Sequence, residues 1–371
     1  MPLLRFIVFI TFLATSSPNA AGIPPGACTL SYWSSTESSE ILAEIEESSP
    51  SPENAGCALH FSVSRGTSST TAALIAAGAD VNAPDELGRT PLHIVSLNPF
   101  RPETLRLLIE AGADVNARDH FGRTPLHAIV LGTNLETSQP EIAESGSLEM
   151  LSLLLDSGAR VDLRTLRGHT PLFNAASDGT VAIARALVEA GADITITDEY
   201  GWTPLHRASR FGNAEIVSYL LQLGADPMAV RGSNLVRLWL SERGATPMHD
   251  AAISGNTDAA SALIAAGAEL SARTNSGATP LHFAAADGTA ETILILLEAG
   301  AEIEELDESG RTALYHGVLA DNPETVLILL EAGARIDITA PGSRSLWEIA
   351  EESRNLIGTE AYWRLNEARF E

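Results

Sequence analysis

The sequence predicts an all-α solenoid assembled from repeated pairs of short helices. The tetrapeptide Thr-Pro-Leu-His, or a near variant, recurs seven times, and a Gly-Ala pair follows each copy. Where the repeats are regular the period is 33 residues, as from Thr170 to Thr203 and from Thr246 to Thr279. Only 5% of the residues are aromatic, and helix-favouring residues cluster in short blocks. The seven copies begin at Thr90, Thr124, Thr170, Thr203, Thr246, Thr279 and Thr312.

Each position of the motif has a physical role in a helix pair. Thr caps the first helix, and Pro at the first helical position has no N–H to lose. Small residues such as Ala284 and Ala285 predict an inner helix that stacks closely on its neighbours. The second helix carries the larger apolar side chains. Gly179, Gly212 and Gly288 are expected to end inner helices in the left-handed conformation.

This motif and period resemble the ankyrin-repeat family, over roughly residues 56–366. The resemblance implies helix-turn-helix units joined by short β-hairpin fingers, with a concave face that binds proteins. In the family, the motif histidine hydrogen-bonds the backbone of adjacent fingers, which predicts structural roles rather than ligand roles for six histidines. They are His60, His93, His127, His206, His249 and His282, whereas His120, His169 and His316 are expected to be exposed.

The chain divides into four predicted segments. Residues 1–22 predict a signal peptide, residues 23–55 a flank with a capping helix, residues 56–339 about eight repeats, and residues 340–371 a degenerate C-terminal capping repeat. A membrane anchor is disfavoured because the N-terminal apolar run is far shorter than the roughly 20 residues that span a bilayer. A lipid anchor on Cys28 is the other alternative. Two insertions are expected in loops, near residues 131–145 and within residues 231–243.

The two cysteines, Cys28 and Cys57, both lie in the N-terminal flank or at its edge. Because a signal peptide implies an oxidising compartment, they predict a disulfide and a periplasmic or secreted protein. Zinc binding is the weaker alternative, since the pair has neither Cys-x-x-Cys spacing nor histidine partners.

The charge balance and missing motifs exclude several functions. The chain has 48 acidic and 23 basic residues, so nucleic acid is not an expected partner and stable membrane insertion after signal cleavage is not predicted. Every basic residue is Arg, which rules out a phosphate-binding loop that needs Lys. Asp85, Asp119, Asp198 and Asp307 recur at finger turns, where Asp suits the geometry. No catalytic residue, cofactor or metal is predicted.

The predicted function is therefore binding of a partner protein on the concave face, around repeats three to six. Aromatic and arginine side chains, which dominate binding hot spots, cluster there and favour an acidic partner segment. An exported effector or a toxin-immunity protein is the alternative, and an enzymatic role comes third. Phe211 and Trp239 have an alternative interpretation as packing residues. The predicted partner-binding residues are Phe121, Arg123, Arg167, His169, Tyr200, Trp202, Arg210, Phe211, Arg237 and Trp239.

Overall fold

The computed structural model describes residues 52–132, 138–211, 213–232, 243–337 and 344–367, with side chains from residue 58 onward. The predicted signal peptide, Cys28, Arg237 and Trp239 lie outside these residues. Cys57 belongs to the first described helix, but its side chain is not described. The predicted disulfide therefore stays a prediction.

The described residues form two layers of helices. Consecutive inner helices pack against one another, as do consecutive outer helices. The inner layer comprises α1 (Pro52–Arg65), α3 (Pro91–Ser96), α5 (Pro125–Gly132), α7 (Pro171–Asp178), α9 (Pro204–Phe211), α11 (Pro247–Ser254), α13 (Pro280–Asp287), α15 (Ala313–Leu319) and α17 (Leu346–Ala350). The outer layer comprises α2 (Ser68–Ala76), α4 (Pro102–Glu110), α6 (Pro140–Asp156), α8 (Val181–Glu189), α10 (Ala214–Gln222), α12 (Thr257–Ala265), α14 (Ala290–Glu298), α16 (Pro323–Glu331) and α18 (Glu360–Glu367).

The all-α solenoid is confirmed, and its fingers are turns rather than strands. Each finger reverses the chain through a few backbone hydrogen bonds, and the part of the chain that the structure describes contains no β-strand. Within those same residues, every helix is too short or too polar to cross a membrane.

The motif histidines tie each inner helix to the next finger. His249 Nδ1 accepts a hydrogen bond from the Thr246 N–H at 3.1 Å, and Nε2–H donates to the Ala278 carbonyl at 3.1 Å. The second of these bonds recurs at all six histidines of the motif and its variants, which confirms their structural role. In the five motif rings from His93 to His282, Nδ1 accepts from a backbone N–H, which assigns the ring hydrogen to Nε2.

The predicted left-handed ends of two inner helices are wrong. Gly179 and Gly288 end α7 and α13 with φ of −93° and −78°, in extended conformation. A β-carbon on Gly288 would lie 2.5 Å from the Ala252 carbonyl oxygen in the preceding inner helix. Glycine is needed at position 288 because two backbones approach closely, not because φ is positive. Gly212 lies outside the described residues.

The first insertion does not simply lengthen a turn, as the sequence suggested. Part of it extends α6 to 17 residues, against nine in α4 and α8. Ala143 and Ser147 are buried on this extension, and a β-carbon on Gly146 would overlap the Pro99 carbonyl of the preceding repeat. The insertion thus adds packing between repeats two and three.

The second insertion leaves the base of its finger unchanged. The Arg231 N–H donates to the Ala245 carbonyl at 3.0 Å, and the Gly244 N–H donates to the Arg231 carbonyl at 2.9 Å. The regular finger that starts at Asp198 is closed by the same two bonds, to Trp202 and from Gly201. The extra residues are therefore inserted into a finger whose base has the ordinary geometry.

Candidate partner-binding surface

A buried carboxylate shapes each of the four fingers that begin at Asp85, Asp119, Asp198 and Asp307. Asp119 Oδ1 accepts hydrogen bonds from the N–H groups of Phe121 and Arg123 at 2.9 and 2.8 Å, while Oδ2 accepts from Arg123 Nε at 2.7 Å. Asp85 and Asp307 have the same arrangement with Arg89 and Arg311. Burial alone would raise the pKa of Asp85, but hydrogen bonds and charge from Arg89 hold it below its ordinary value. The predicted turn role of these aspartates is confirmed.

Single backbone hydrogen bonds link neighbouring fingers into a row. The Leu166 N–H donates to the Phe121 carbonyl at 2.9 Å, and the Glu199 N–H donates to the Arg167 carbonyl at 3.0 Å. Arg164 adds a bond from its guanidinium to the Thr197 carbonyl at 2.6 Å. The sequence analysis did not single out Arg164, although its position just before the finger turn indicates a contact with the next finger.

Each finger is numbered by the repeat that it leads into, so that fingers three to six begin at Asp119, Thr165, Asp198 and Arg231. Exposed apolar side chains lie at or beside their tips. Phe121 is 51% exposed, and the Arg123 guanidinium lies 4.8 Å from its ring centre. Leu166 and Val230, which the sequence analysis did not single out, are 71% and 63% exposed. Arg167 is exposed beside Leu166. We call Phe121, Leu166, Arg167, Tyr200 and Val230 the finger-tip surface.

Two of the three remaining histidines are less exposed than expected. His316 is buried and hydrogen-bonds Asp307 Oδ2 through Nε2 at 3.0 Å, so its predicted exposure is wrong. Its place on α15 directs it toward the finger carboxylate. His169 is only partly exposed, since it stacks on Phe173 with ring centres 4.5 Å apart. His120 is exposed as predicted.

Trp202 packs on a buried ion pair at the base of finger six. The Arg231 guanidinium lies 4.6 Å from the Trp202 ring centre and 3.2 Å from Asp250 Oδ1. Arg231 occupies the finger position that is Asp in the regular repeats, since it follows Gly224 by the spacing that separates Asp198 from Gly191. Burial raises the pKa of Asp250 to about 6, although the positive charges of Arg231 and Arg210 oppose this rise. Part of the role of Trp202 is therefore structural.

The end of α9 presents two arginines and an exposed ring. Phe211 is 54% exposed, so it lies at the surface rather than packed inside the next helix pair. Arg207 lies between Phe211 and Phe173, with its guanidinium 4.2 and 5.4 Å from the two ring centres. Arg210 follows one helical turn later. Sequence reasoning named Arg210 but missed Arg207, whose signal was its position three residues earlier on the same helix.

Comparison with known families agrees with this geometry. The family model for ankyrin repeats in three copies matches residues 37–119, 59–139, 141–231, 228–307 and 248–340. The chain belongs to the ankyrin-repeat family. No curated protein matches it. Ankyrin repeats generally mediate protein–protein interaction, and proteins built from them are typically non-enzymatic scaffolds.

In this ankyrin-repeat chain, eight of the ten predicted partner-binding residues fall among the described residues. Phe121, Arg167, Tyr200 and Phe211 have side chains at least partly open to solvent, and Arg123 is held by Asp119. Within the described ranges there is no cluster of three or more His, Cys, Asp or Glu side chains suited to a metal ion. The arrangement offers apolar and cationic contacts for a protein surface.

Proposed function

We propose that this protein is exported and binds a partner protein through its finger-tip surface and the adjoining end of α9. The carrying observation is the set of exposed apolar side chains on fingers three, four and six, at Phe121, Leu166 and Val230. Apolar side chains on rigid turns offer a partner apolar contacts at little cost in conformational entropy. The corresponding tip of the seventh repeat carries Asn275 and Ser276, which offer no such contacts.

The charges around this surface favour an acidic partner segment. The chain carries a formal net charge of −25, yet Arg167 lies at a finger tip and Arg207 and Arg210 lie on α9, while Arg123 at the base of finger three is paired with Asp119. Arginine binds carboxylates in forked pairs, and it is enriched in the energetic centres of interfaces. We therefore expect the partner to present carboxylates beside an apolar contact.

Affinity capture from the envelope and secreted fractions, with the mature chain as bait, tests this proposal. The variant Phe121→Ala with Leu166→Ala is expected to lose the partner, because removing two central apolar contacts costs on the order of 2 kcal/mol or more. The control variant Ile142→Ala with Leu294→Ala removes two exposed apolar side chains from α6 and α14, away from the fingers. Equal capture by both variants would refute the proposed surface. Capture of a host protein or a toxin would assign the effector or immunity role.

The predicted disulfide provides a separate test of export. If the mature chain resides in an oxidising compartment, non-reducing peptide mapping should recover Cys28 joined to Cys57. Closing a loop of this length is expected to stabilise the folded chain by roughly 3 to 4 kcal/mol in the chain-entropy model. Two free thiols in protein from the exported fraction would contradict the pairing.

A further inference from the structure

Two arginines on α9 lack the partners that other arginines of this chain possess. Arg207 and Arg210 are partly buried, yet neither side chain makes a hydrogen bond, or an ion pair within 4 Å, in the described residues. Arg207 Nε and Arg210 Nη1 are themselves buried without an acceptor. The finger arginine Arg123, by contrast, reaches an aspartate at 2.7 Å. We call Arg207 and Arg210 the arginine pair.

The surroundings of the arginine pair remove water from its charges without supplying a carboxylate in contact among the described residues. Burial lowers the pKa of both guanidinium groups, so the loss of water around their charges is not compensated within the described chain. Carboxylates act on the pair only from a distance: Asp178 and Asp198 on Arg207, and Asp250 and Asp287 on Arg210. The positive charge of Arg231 also acts on Arg210.

Aromatic rings set the direction from which an acceptor can approach. Phe173 and Phe211 lie over Arg207, as the distances above show, and contacts over a ring engage the flat face of a guanidinium. The N–H donors point along the edge of that plane, where a carboxylate can accept two parallel hydrogen bonds. Arg207 Nε is buried, so the donors left for a ligand are the terminal nitrogens of the guanidinium, which make no hydrogen bond within the described residues.

We propose that the arginine pair is a receptor for the side-chain carboxylates of an acidic segment in the partner protein. This inference rests on the proposed function and names the chemistry recognised at one point of that surface. Two cations one helical turn apart call for more than one carboxylate, which a run of Asp or Glu residues supplies and a single chain terminus does not. Because these guanidinium groups are already partly desolvated and fixed, a carboxylate gains more here than at an exposed arginine.

A defined peptide tests the receptor on the full mature chain. The probe is a hexaglutamate peptide with acetylated and amidated ends and a neutral dye, followed by fluorescence anisotropy in about 0.1 M salt. At this salt the Debye length is about 10 Å, so the acidic body repels the peptide weakly while direct contacts persist. The wild type is expected to bind hexaglutamate and not hexaglutamine.

Matched variants locate the binding. Arg207→Gln with Arg210→Gln is expected to weaken hexaglutamate binding at least tenfold. The control, Arg160→Gln with Arg185→Gln, also removes two positive charges and is expected to bind like wild type. Arg185 is a suitable control because it too lies against a ring, 4.4 Å from the Tyr219 centre, but on the outer helix α8. If the glutamine variant misfolds by circular dichroism, Arg207→Lys with Arg210→Lys keeps the charge and should weaken binding severalfold, since lysine cannot form the fork.

Several results would overturn the inference. They are no binding of hexaglutamate by the wild type, equal binding by wild type and the glutamine variant, equal binding of hexaglutamine, or no loss of binding in the lysine variant. Binding only of a glutamine peptide with a free C-terminus would assign the pair to a chain terminus instead. Partner capture lost in the Phe121 and Leu166 variant but kept in the Arg207 and Arg210 variant would leave the proposed function standing and refute the receptor.

Discussion

The carboxylate of Asp250 lies 3.2 Å from the guanidinium of Arg231, and the two side chains are 0% and 1% exposed. Arg231 starts finger six, while Asp250 lies in α11 of the repeat that follows. In the regular fingers a carboxylate caps its own turn. Here the charge is reversed, and the finger is held to the inner helix instead.

Removing one member of this pair should be costly. Arg231→Ala leaves Asp250 buried without the positive charge that opposes the rise of its pKa, and such losses amount to roughly 3 to 5 kcal/mol at a pH where Asp250 is ionised. Urea unfolding followed by circular dichroism should show this decrease, whereas Glu298→Ala, on the exposed end of α14, should change the unfolding free energy by less than about 0.5 kcal/mol. A similar small effect for both variants would show that the pair does not stabilise the array.

Asp250 should also give an unusual pH dependence. Its pKa is about 6 in the folded protein and near 3.8 in the unfolded chain, so the folded state binds its proton first as the pH falls. The contribution of Asp250 to the unfolding free energy should therefore rise between about pH 6.5 and pH 4, by up to about 3 kcal/mol. The difference between wild type and Asp250→Asn, measured by urea unfolding across this range, isolates the effect. A difference that falls on acidification would contradict the raised pKa.

The buried motif histidines change the unfolding free energy with pH in the opposite direction to Asp250. Burial lowers the pKa of His206 and His249 to about 3, and that of His127 and His282 to about 4. The unfolded chain takes up these protons near pH 6.5, so the stability from each ring is present above that pH and is lost as the pH falls toward 4. Each ring contributes up to about 1.4 kcal/mol per pH unit in this window.

Urea unfolding at a series of pH values checks this loss. His206→Gln should be less stable than wild type at pH 7, because it breaks the bond to the Ala245 carbonyl, but should lose less stability per pH unit. His120→Gln, at an exposed finger position, should keep the wild-type slope. An unchanged slope in the His206 variant would contradict the lowered pKa.

At position 146, the usual preference of a helix for alanine over glycine should be reversed. Replacing glycine by alanine inside a helix normally stabilises by about 1 kcal/mol. In α6 the new β-carbon would meet the Pro99 carbonyl, so Gly146→Ala should instead destabilise, by about 1 to 3 kcal/mol. Ser145→Ala, at the exposed neighbouring position, is the control and should be neutral or slightly stabilising. Thermal unfolding of the three proteins gives the order, and stabilisation by Gly146→Ala would mean that α6 does not lie close to Pro99.

Asp321 is expected to stabilise the packing of the last helix pair, α17 and α18, on the preceding repeat. It adopts a left-handed φ of 56°, and its carboxylate accepts hydrogen bonds from the N–H groups of residues 354–356 and from Ser353 Oγ. Asp321→Ala removes these acceptors and disfavours the left-handed turn. Amide hydrogen exchange at residues 354–356 should speed up at least tenfold, with little change in α3 to α9. Asp337→Ala, at an exposed carboxylate, should leave this exchange unchanged.

The sequence was sufficient for the fold because each repeat restates the same local rules. Capping Thr, first-turn Pro and the motif histidine act within about one repeat, so periodicity alone predicts them. Gly288 was misread because its need for glycine comes from the preceding inner helix, which local pattern does not reveal, whereas a β-carbon on Gly179 would meet Ala175 of its own helix. The pairing of Arg231 with Asp250 was missed for the same reason as the role of Gly288, since a charge-reversed finger position gains meaning only when its partner in α11 is known.

The finger bases suggest how such a protein diversifies. Finger six carries ten more residues than the regular period, yet its base keeps the two closing hydrogen bonds of finger five. The described base thus accommodates ten extra residues without a change in its closing hydrogen bonds. A loop of different length or chemistry can be exchanged between Gly232 and Gly244 without redesign of the scaffold, which makes this one finger a natural graft point for new recognition.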